Sequence, residues 1–163
     1  MKLYASHVGY KEFTGPVTAT DPGYDRDAMC VVRNIDIKPG QYSLFVYYGK
    51  EYYKDENNKR HQYSLPYICA MYHETLSPRG HCNWRPIGSI GVDAGMAGFF
   101  QNKPDYNHDE WGEFCKKMRG NYCIMQEGFC TRSGMGDGWY DVYATYNEEN
   151  EIVGVEIRFC EVK

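Results

Sequence analysis

The sequence predicts a mainly β protein, either an antiparallel sandwich or a half-open barrel, with one helix covering a sheet. Three observations support this fold class: short segments of strand character recur along the chain, turn-forming residues separate them, and only one stretch has helical periodicity. The 163 residues contain no internal repeat and no linker rich in Pro, Gly or Ser. We therefore expect a single domain over residues 1–163.

Strand character is found in eight segments rich in β-branched and aromatic residues. A half-buried strand must alternate apolar and polar residues, because successive side chains point to opposite faces of a sheet. The last segment shows this alternation, with Val153 and Val155 on one face and Gly154 and Glu156 on the other. The predicted strands cover residues 2–8, 29–37, 41–48, 67–72, 87–93, 127–132, 139–146 and 152–160.

Two turns are clear from their composition: Lys-Pro-Gly at 38–40 and Asn-Glu-Glu-Asn at 147–150. Each lies between two predicted strands and carries residues that favour tight turns, so each is predicted to close a β-hairpin. We then expect the last three predicted strands, at 127–132, 139–146 and 152–160, to form a three-stranded meander.

The segment Ser-Gly-Met-Gly-Asp-Gly at 133–138 places three glycines at alternate positions. No lysine follows at the position that a P-loop requires, so this spacing does not indicate a nucleotide cradle. We interpret Gly134, Gly136 and Gly138 as the entry to a hairpin that needs positive φ angles, with the Asp137 carboxylate bonded to backbone amides.

The predicted helix covers residues 107–118. Its apolar residues fall at positions i, i+3, i+4 and i+7, which is the stripe of an amphipathic helix. These residues are Trp111, Phe114, Cys115 and Met118. Asn107 can cap the helix, and we expect the helix to cover one face of the sheet.

Composition and charge limit the classes of function. The net charge is −4 and the 18 Lys and Arg residues are scattered, so the basic footprint of a nucleic-acid-binding protein is absent. The seven cysteines form an odd set without a CxxC pair, which indicates reduced thiols and predicts a cytoplasmic protein. No apolar run is long enough to form a membrane span, so we expect no membrane partner.

Three turns place a carboxylate beside glycine or proline: Asp21 and Asp25 in the first, Asp93 in the second and Asp137 in the third. In such turns the side chain either caps nearby amides or faces a ligand. We expect the three turns to converge at one end of the sandwich, where loops of this fold usually carry function.

The same segments resemble a family of small bacterial and phage proteins known as domain of unknown function 4241. Four stretches of this chain carry the resemblance: TDPGYD (20–25), IKPGQY (37–42), IGVDAGMAGFF (90–100) and SGMGDGWYDVY (133–143). They are similar to the family's DPCYD, KPGxW, VDSGxxGxFD and SGYGDGxYxVY segments, in the same order. The resemblance implies a mainly β fold and a cytoplasmic bacterial or phage setting, and it implies no reaction.

The first functional hypothesis is a non-enzymatic protein-binding module, of the inhibitor or immunity type, that acts on a larger bacterial partner. The 16 tyrosines support it, since aromatic-rich surfaces concentrate binding energy. Such a module should expose its tyrosines as a contiguous patch. We expect no cofactor, because His73, His81 and Cys82 are the closest group of soft ligands and match no zinc pattern.

The second hypothesis is a small-molecule or divalent-metal site, with a metal-dependent hydrolase as one form of it, built from the carboxylates of the three turns. Carboxylate oxygens suit Mg²⁺, Mn²⁺ or Ca²⁺. Arg132 would be the charge stabiliser and His81 the base. Across both hypotheses the candidate binding residues are Asp21, Tyr24, Asp25, Asp93, Arg132, Ser133, Asp137 and Trp139.

Overall fold

The structure is a computed structural model that describes residues 1–76, 82–118 and 120–161. In this part of the chain, eleven strands and one helix are present. The strands are β1 (Tyr4–Phe13), β2 (Val17–Thr20), β3 (Val32–Ile35), β4 (Gly40–Lys54), β5 (Arg60–His73), β6 (Trp84–Val92), β7 (Met96–Phe100), β8 (Tyr122–Met125), β9 (Gly128–Arg132), β10 (Gly138–Tyr146) and β11 (Ile152–Arg158). The helix α1 spans His108–Lys117.

The strands form two antiparallel sheets that are not closed into a barrel, so the sandwich alternative of the prediction is confirmed. The first sheet has the strand order β1-β4-β5-β11-β10-β6, and the second has the order β3-β2-β7-β9-β8. All eight predicted strands overlap observed ones. The sequence reading missed β2, β7 and β8, which have only four or five residues each, too few to show a clear alternation.

The main hydrophobic core lies between the two sheets and takes alternate residues from each. Leu44 and Val142 belong to the first sheet, Ala19 and Phe99 to the second, and all four are fully buried. Neighbouring residues on the same strands, such as Phe100, point to the opposite side of their sheet. This alternation gives the second sheet two apolar faces, and its outer face needs a cover.

Helix α1 provides that cover, as predicted. Phe114 and Met118 are buried against Phe100 and Cys130 on the outer face of the second sheet, whereas Cys115 is exposed and does not join this contact. The Asn107 side chain accepts a hydrogen bond from the Glu110 amide at 2.9 Å, and the Glu110 carboxylate accepts one from the Asn107 amide. This capping box fixes where the helix begins.

No helix in the described residues has the length and hydropathy needed to cross a lipid bilayer.

The connection at residues 38–40 is not a hairpin, which corrects the prediction. β3 pairs with β2 in the second sheet, whereas β4 pairs with β1 and β5 in the first. The Lys38 amide donates to the Ile152 carbonyl oxygen at 2.8 Å, which guides the chain across the gap between the sheets. Pro39 and Gly40 therefore lie in a connection that crosses from the second sheet to the first.

The predicted three-stranded meander is also wrong. β10 and β11 form a hairpin through residues 147–150, as expected, but β9 pairs with β7 and β8 in the second sheet. The segment 133–138 consequently crosses between the sheets and is not a hairpin entry. Gly134 and Gly136 have positive φ angles of 63° and 94°, and Gly138 does not.

Candidate functional site

The Asp21 carboxylate joins the first two acidic turns. Its Oδ2 accepts hydrogen bonds from the amides of Asp93 (2.8 Å) and Ala94 (2.7 Å), and its Oδ1 accepts one from the Gly23 amide (2.7 Å). Asp21 is fully buried, and this burial raises the pKa of its carboxyl, although the three amides act in the opposite direction. Asp21 is therefore a structural clamp between two loops.

The third turn lies beside the second, because Gly138 pairs with Val92 across the first sheet. The Ser133 amide donates to the Gly95 carbonyl oxygen at 3.0 Å, and the buried Ser133 hydroxyl donates to the Gly136 carbonyl oxygen at 2.7 Å. The structure thus brings the three turns to one end of the sandwich, which we call the rim (residues 21–25, 93–95 and 133–138). The Asp137 carboxylate is exposed and bonds to no backbone amide of the described residues, contrary to expectation.

Arg132 and Trp139 lie directly before and directly after the third turn of the rim. The Arg132 guanidinium donates to the carbonyl oxygens of Met118 (2.8 Å) and Gly120 (3.1 Å), so it holds the carboxyl end of α1. Trp139 is 71% exposed and lies on the first sheet, where it pairs with Gly91. These two candidate residues face different surroundings.

Tyr24 and Asp25 line a cavity of about 380 Å³ next to the rim, which we call the rim cavity. It lies on the outer face of the second sheet, beside α1. The remaining lining residues are Pro16, Thr18, Thr20, Arg26, Val31, Arg33, Asn34, Phe100, Asn102 and Lys103. Burial and the neighbouring Cys30 thiol raise the pKa of Tyr24 to about 12.

No observation favours the divalent-metal hydrolase. Among the described residues no group of three or more His, Cys, Asp or Glu side chains could hold a metal ion. Both oxygens of Asp21 already accept backbone hydrogen bonds, and Arg132 holds the helix. His81, the proposed base, lies outside the described residues.

A buried carboxylate that the sequence reading missed lies on the outer face of the first sheet. Glu156 is 5% exposed, its Oε2 accepts a hydrogen bond from Arg158 Nε at 2.9 Å, and its Oε1 accepts one from the Tyr72 hydroxyl at 3.2 Å. The hydroxyls of Tyr72 and Tyr47 lie 2.7 Å apart. Burial raises the pKa of Glu156, although Arg158 and Tyr72 oppose this. An acid and a base two positions apart on one strand, Glu156 and Arg158, are the sequence signal for this network.

Aromatic rings form a layer around this carboxylate. Tyr72 packs between Phe45 (5.3 Å between ring centroids) and Trp84 (6.0 Å), and Phe45 contacts His7 (5.0 Å). At the other side, the Arg158 guanidinium stacks on Tyr143, 3.7 Å from the ring centroid. We call these residues the aromatic layer; it crosses the first sheet from His7 on β1 to Trp84 on β6.

A second cavity, of about 650 Å³, adjoins the aromatic layer, and we call it the outer cavity. Its walls combine aromatic rings with three carboxylates and one guanidinium. The lining residues are Ile68, Trp139, Tyr140, Asp141, Tyr143, Glu156, Arg158, Phe159, Cys160 and Glu161.

The paired ends of β4 and β5 extend the first sheet. Tyr48 pairs with Tyr4 of β1 at the end of that ladder, and Ile68 pairs with Arg158 at the end of the β5–β11 ladder. Beyond these points, residues 49–65 have no strand partners outside the segment within the described part of the chain, and we call this segment the ribbon. Turn-forming residues at 55–58 between two tyrosine-bearing segments are the sequence signal for it.

One face of the ribbon continues the aromatic layer. The rings of Tyr53 and His61 are stacked with centroids 5.1 Å apart, and Tyr63 lies 6.0 Å from Tyr53. Tyr53 lies on the same face of β4 as Tyr47 because side chains alternate along the strand. The register shift between Tyr47 and Tyr48 is a bulge with one extra residue in β5, and it brings His61 and Tyr63 to that same face. Tyr53 is 54% and Tyr63 43% exposed.

No protein-family model matches this chain, and no curated protein or solved structure matches it either. The resemblance to domain of unknown function 4241 stays a prediction.

Proposed function

We propose that this protein is a non-enzymatic protein-binding module of the inhibitor or immunity type, and that it binds its partner through the outer face of the first sheet. The observation that carries the proposal is the aromatic layer together with the ribbon. Helix α1 covers the other sheet, whereas this face ends in exposed aromatic side chains at Trp139, Tyr53 and Tyr63.

Aromatic side chains suit this role because they offer a large contact area with few rotatable bonds. In the aromatic layer the rings already pack against each other, as Phe45 and Tyr72 do, and the ribbon is held by regular strand pairing. A surface that is ordered before binding loses little conformational entropy when the partner docks. Such a surface can support a tight complex.

The charge of the outer cavity favours a basic partner segment. Asp141, Glu156 and Glu161 contribute three carboxylates against the single guanidinium of Arg158. A Lys or Arg side chain of the partner would meet complementary charge there, and the exposed ring of Trp139 can add a cation–π contact. The partner is therefore a larger protein that presents a basic, partly apolar segment.

The resemblance to domain of unknown function 4241 adds a setting to the proposal. The protein acts in the cytoplasm of a bacterium or of a phage-infected cell, without a cofactor. Nucleic acid is not the partner, since the surface proposed for binding carries an excess of carboxylates around its cavity.

Site-specific photo-crosslinking tests the proposal. A benzophenone amino acid replaces Tyr63 or Trp139 on the proposed face, or Glu113 on the exposed side of α1 as the control. In lysate of the host cell, positions 63 and 139 should give the same adduct, and position 113 should not. Trp139→Ala should weaken capture of that protein about thirtyfold or more, as expected for an aromatic hot spot.

Two results would contradict this function. The first is that neither position 63 nor position 139 forms a specific adduct. The second is that position 113 gives the same adduct with equal yield, which would show that contact does not depend on the first sheet.

A further inference from the structure

The Lys103 ammonium group is mostly buried, and the carboxylates of Asp105, Asp25, Asp21 and Glu127 attract it only from beyond ion-pair distance. The residue is 8% exposed, and none of the ion pairs among the described residues includes it. Its Nζ donates one hydrogen bond, to the Pro104 carbonyl oxygen at 2.8 Å, and lies 4.5 Å from the ring centroid of Tyr106. An ammonium has three N–H donors, so two are left for other partners.

Lys103 borders the rim cavity, where a second cation is held in place. The Arg33 guanidinium donates through Nε and Nη2 to the Arg26 carbonyl oxygen, at 3.2 and 2.6 Å, and through Nη2 to the Ala28 carbonyl oxygen. These bonds leave Nη1 without a partner among the described residues. Arg33 therefore both orders the loop that walls the cavity and keeps a donor for a ligand.

Two asparagines on the cavity wall have left-handed backbone conformations, Asn34 at φ 54° and Asn102 at φ 55°. Asn34 lies where the β2–β3 register shifts, and such a bulge redirects side chains. The other two left-handed asparagines, Asn58 and Asn150, belong to the turns that close the β4–β5 and β10–β11 hairpins. No hydrogen bond within the described residues occupies the side-chain amides of Asn34 and Asn102.

The cavity also has an apolar wall, formed by Phe100, Val31 and Pro16. Its volume of about 380 Å³ falls in the range of small-molecule sites and exceeds what a bare inorganic anion needs. Asp25 lines the cavity as well, and Asp105 is bound to Arg26 at its edge. Both carboxylates attract the Lys103 ammonium. The lining nevertheless carries three cationic side chains, Arg26, Arg33 and Lys103, against the single carboxylate of Asp25, so its net charge suits an anion.

We propose that the rim cavity binds a small organic molecule carrying an oxyanion, with Lys103 and Arg33 on the oxyanion and the Phe100 wall on the organic body. A buried charge is costly unless it is paired, and an oxyanion on Lys103 supplies an anionic partner in direct contact, through charge-assisted hydrogen bonds to the two remaining N–H donors. The turn that contains Asp25 thus borders a site for an anion and not for a divalent cation. This site is separate from the protein-binding face on the first sheet.

Titration calorimetry of the full chain with phenyl phosphate and with inorganic phosphate tests the proposal, with chloride at matched ionic strength as the reference. Phenyl phosphate should bind saturably and about tenfold more tightly than inorganic phosphate, because its ring contacts the apolar wall. Lys103→Met should weaken phenyl phosphate binding about tenfold or more, whereas Lys117→Met on exposed α1 should not.

A second pair of variants keeps the proposal testable if Lys103→Met fails to fold. Asn102→Asp adds a negative charge to the cavity wall at an exposed position, and Asn150→Asp makes the same change at the β10–β11 turn. Only Asn102→Asp should weaken phenyl phosphate binding. The proposal is overturned if the wild-type chain shows no saturable binding beyond the chloride reference, or if Asn102→Asp and Asn150→Asp bind phenyl phosphate equally well.

Discussion

The Asp93 amide nitrogen lies 2.8 Å from Asp21 Oδ2, although 72 residues separate the two in the chain. The same carboxylate accepts hydrogen bonds from Ala94 and Gly23, so one buried side chain holds the loop after β2 against the turn after β6. Because β2 and β6 belong to different sheets, this relationship ties the two layers together at the rim.

Replacing Asp21 by Asn should destabilise the protein by about 2 kcal/mol, because hydrogen bonds to a charged acceptor are among the stronger ones. The amide keeps one acceptor oxygen and turns an NH₂ group towards backbone donors, so at least one backbone N–H loses its partner. Urea unfolding measures the change. Asp25→Asn is the matched control: it alters an exposed carboxylate in the same loop and should shift stability by less than about 0.5 kcal/mol. Equal losses in both variants would contradict the clamp.

Gly112→Ala should stabilise the protein by about 1 kcal/mol, since alanine has the higher helix propensity. Gly112 lies inside α1, and a Cβ there would contact nothing within 4 Å. Thermal unfolding followed by circular dichroism measures the gain. Gly98→Ala is the opposite case: a Cβ would collide with the Phe129 carbonyl oxygen and come within 2.5 Å of Cys130 Cα, so a loss of about 3 kcal/mol is expected. A lower melting temperature for Gly112→Ala would refute the first expectation.

Arg132→Met should loosen the carboxyl end of α1, because it removes the donors to the Met118 and Gly120 carbonyl oxygens. We expect a loss of about 1 kcal/mol in stability. Faster amide hydrogen exchange should appear in the last turn of α1 and not in the first, which the capping box still holds. Arg85→Met serves as the control, since Arg85 is exposed and stacks on Tyr146, far from the helix. Unchanged exchange in α1 would argue against this role.

The stability difference between the wild type and Glu156→Gln should depend on pH. Burial raises the folded-state pKa of Glu156 above its ordinary value of 4.5, so the folded protein holds this proton more tightly than the unfolded chain does. The wild type should therefore lose stability relative to the variant as pH rises from about 4.5 through the raised pKa, and the difference should then level off. Urea unfolding over a pH series measures this, and the raised pKa of Asp21 cancels because both proteins share it. A difference that stays flat with pH would disprove the assignment.

Local patterns allowed much of the architecture to be predicted. Alternation identified strands such as β11, and the 3.6-residue period with the Asn107 cap located α1 within one residue at each end. The convergence of the acidic turns at one rim also agrees with the expectation, since Asp21 and Asp93 are hydrogen-bonded.

Other features depend on contacts between distant residues, and the sequence reading misjudged or missed them. The turns at 38–40 and 133–138 have the composition of hairpin loops, yet each crosses from one sheet to the other because the strands it joins pair elsewhere. The alternation of β11 places Glu156 on a polar strand face, where exposure is expected. In the structure Glu156 is buried, because the rings of the aromatic layer surround it.

By itself the sequence determined the fold class, the position of the helix and most of the strands, because hydrophobic period and capping act between residues close in the chain. Only the tertiary structure decided which sheet each strand joins and which charges lose water. The burial of Lys103 and Glu156 is the sum of contacts with segments far away in sequence, and no local pattern encodes that sum. For this reason the two surfaces proposed to bind, the aromatic layer and the rim cavity, emerged from the structure.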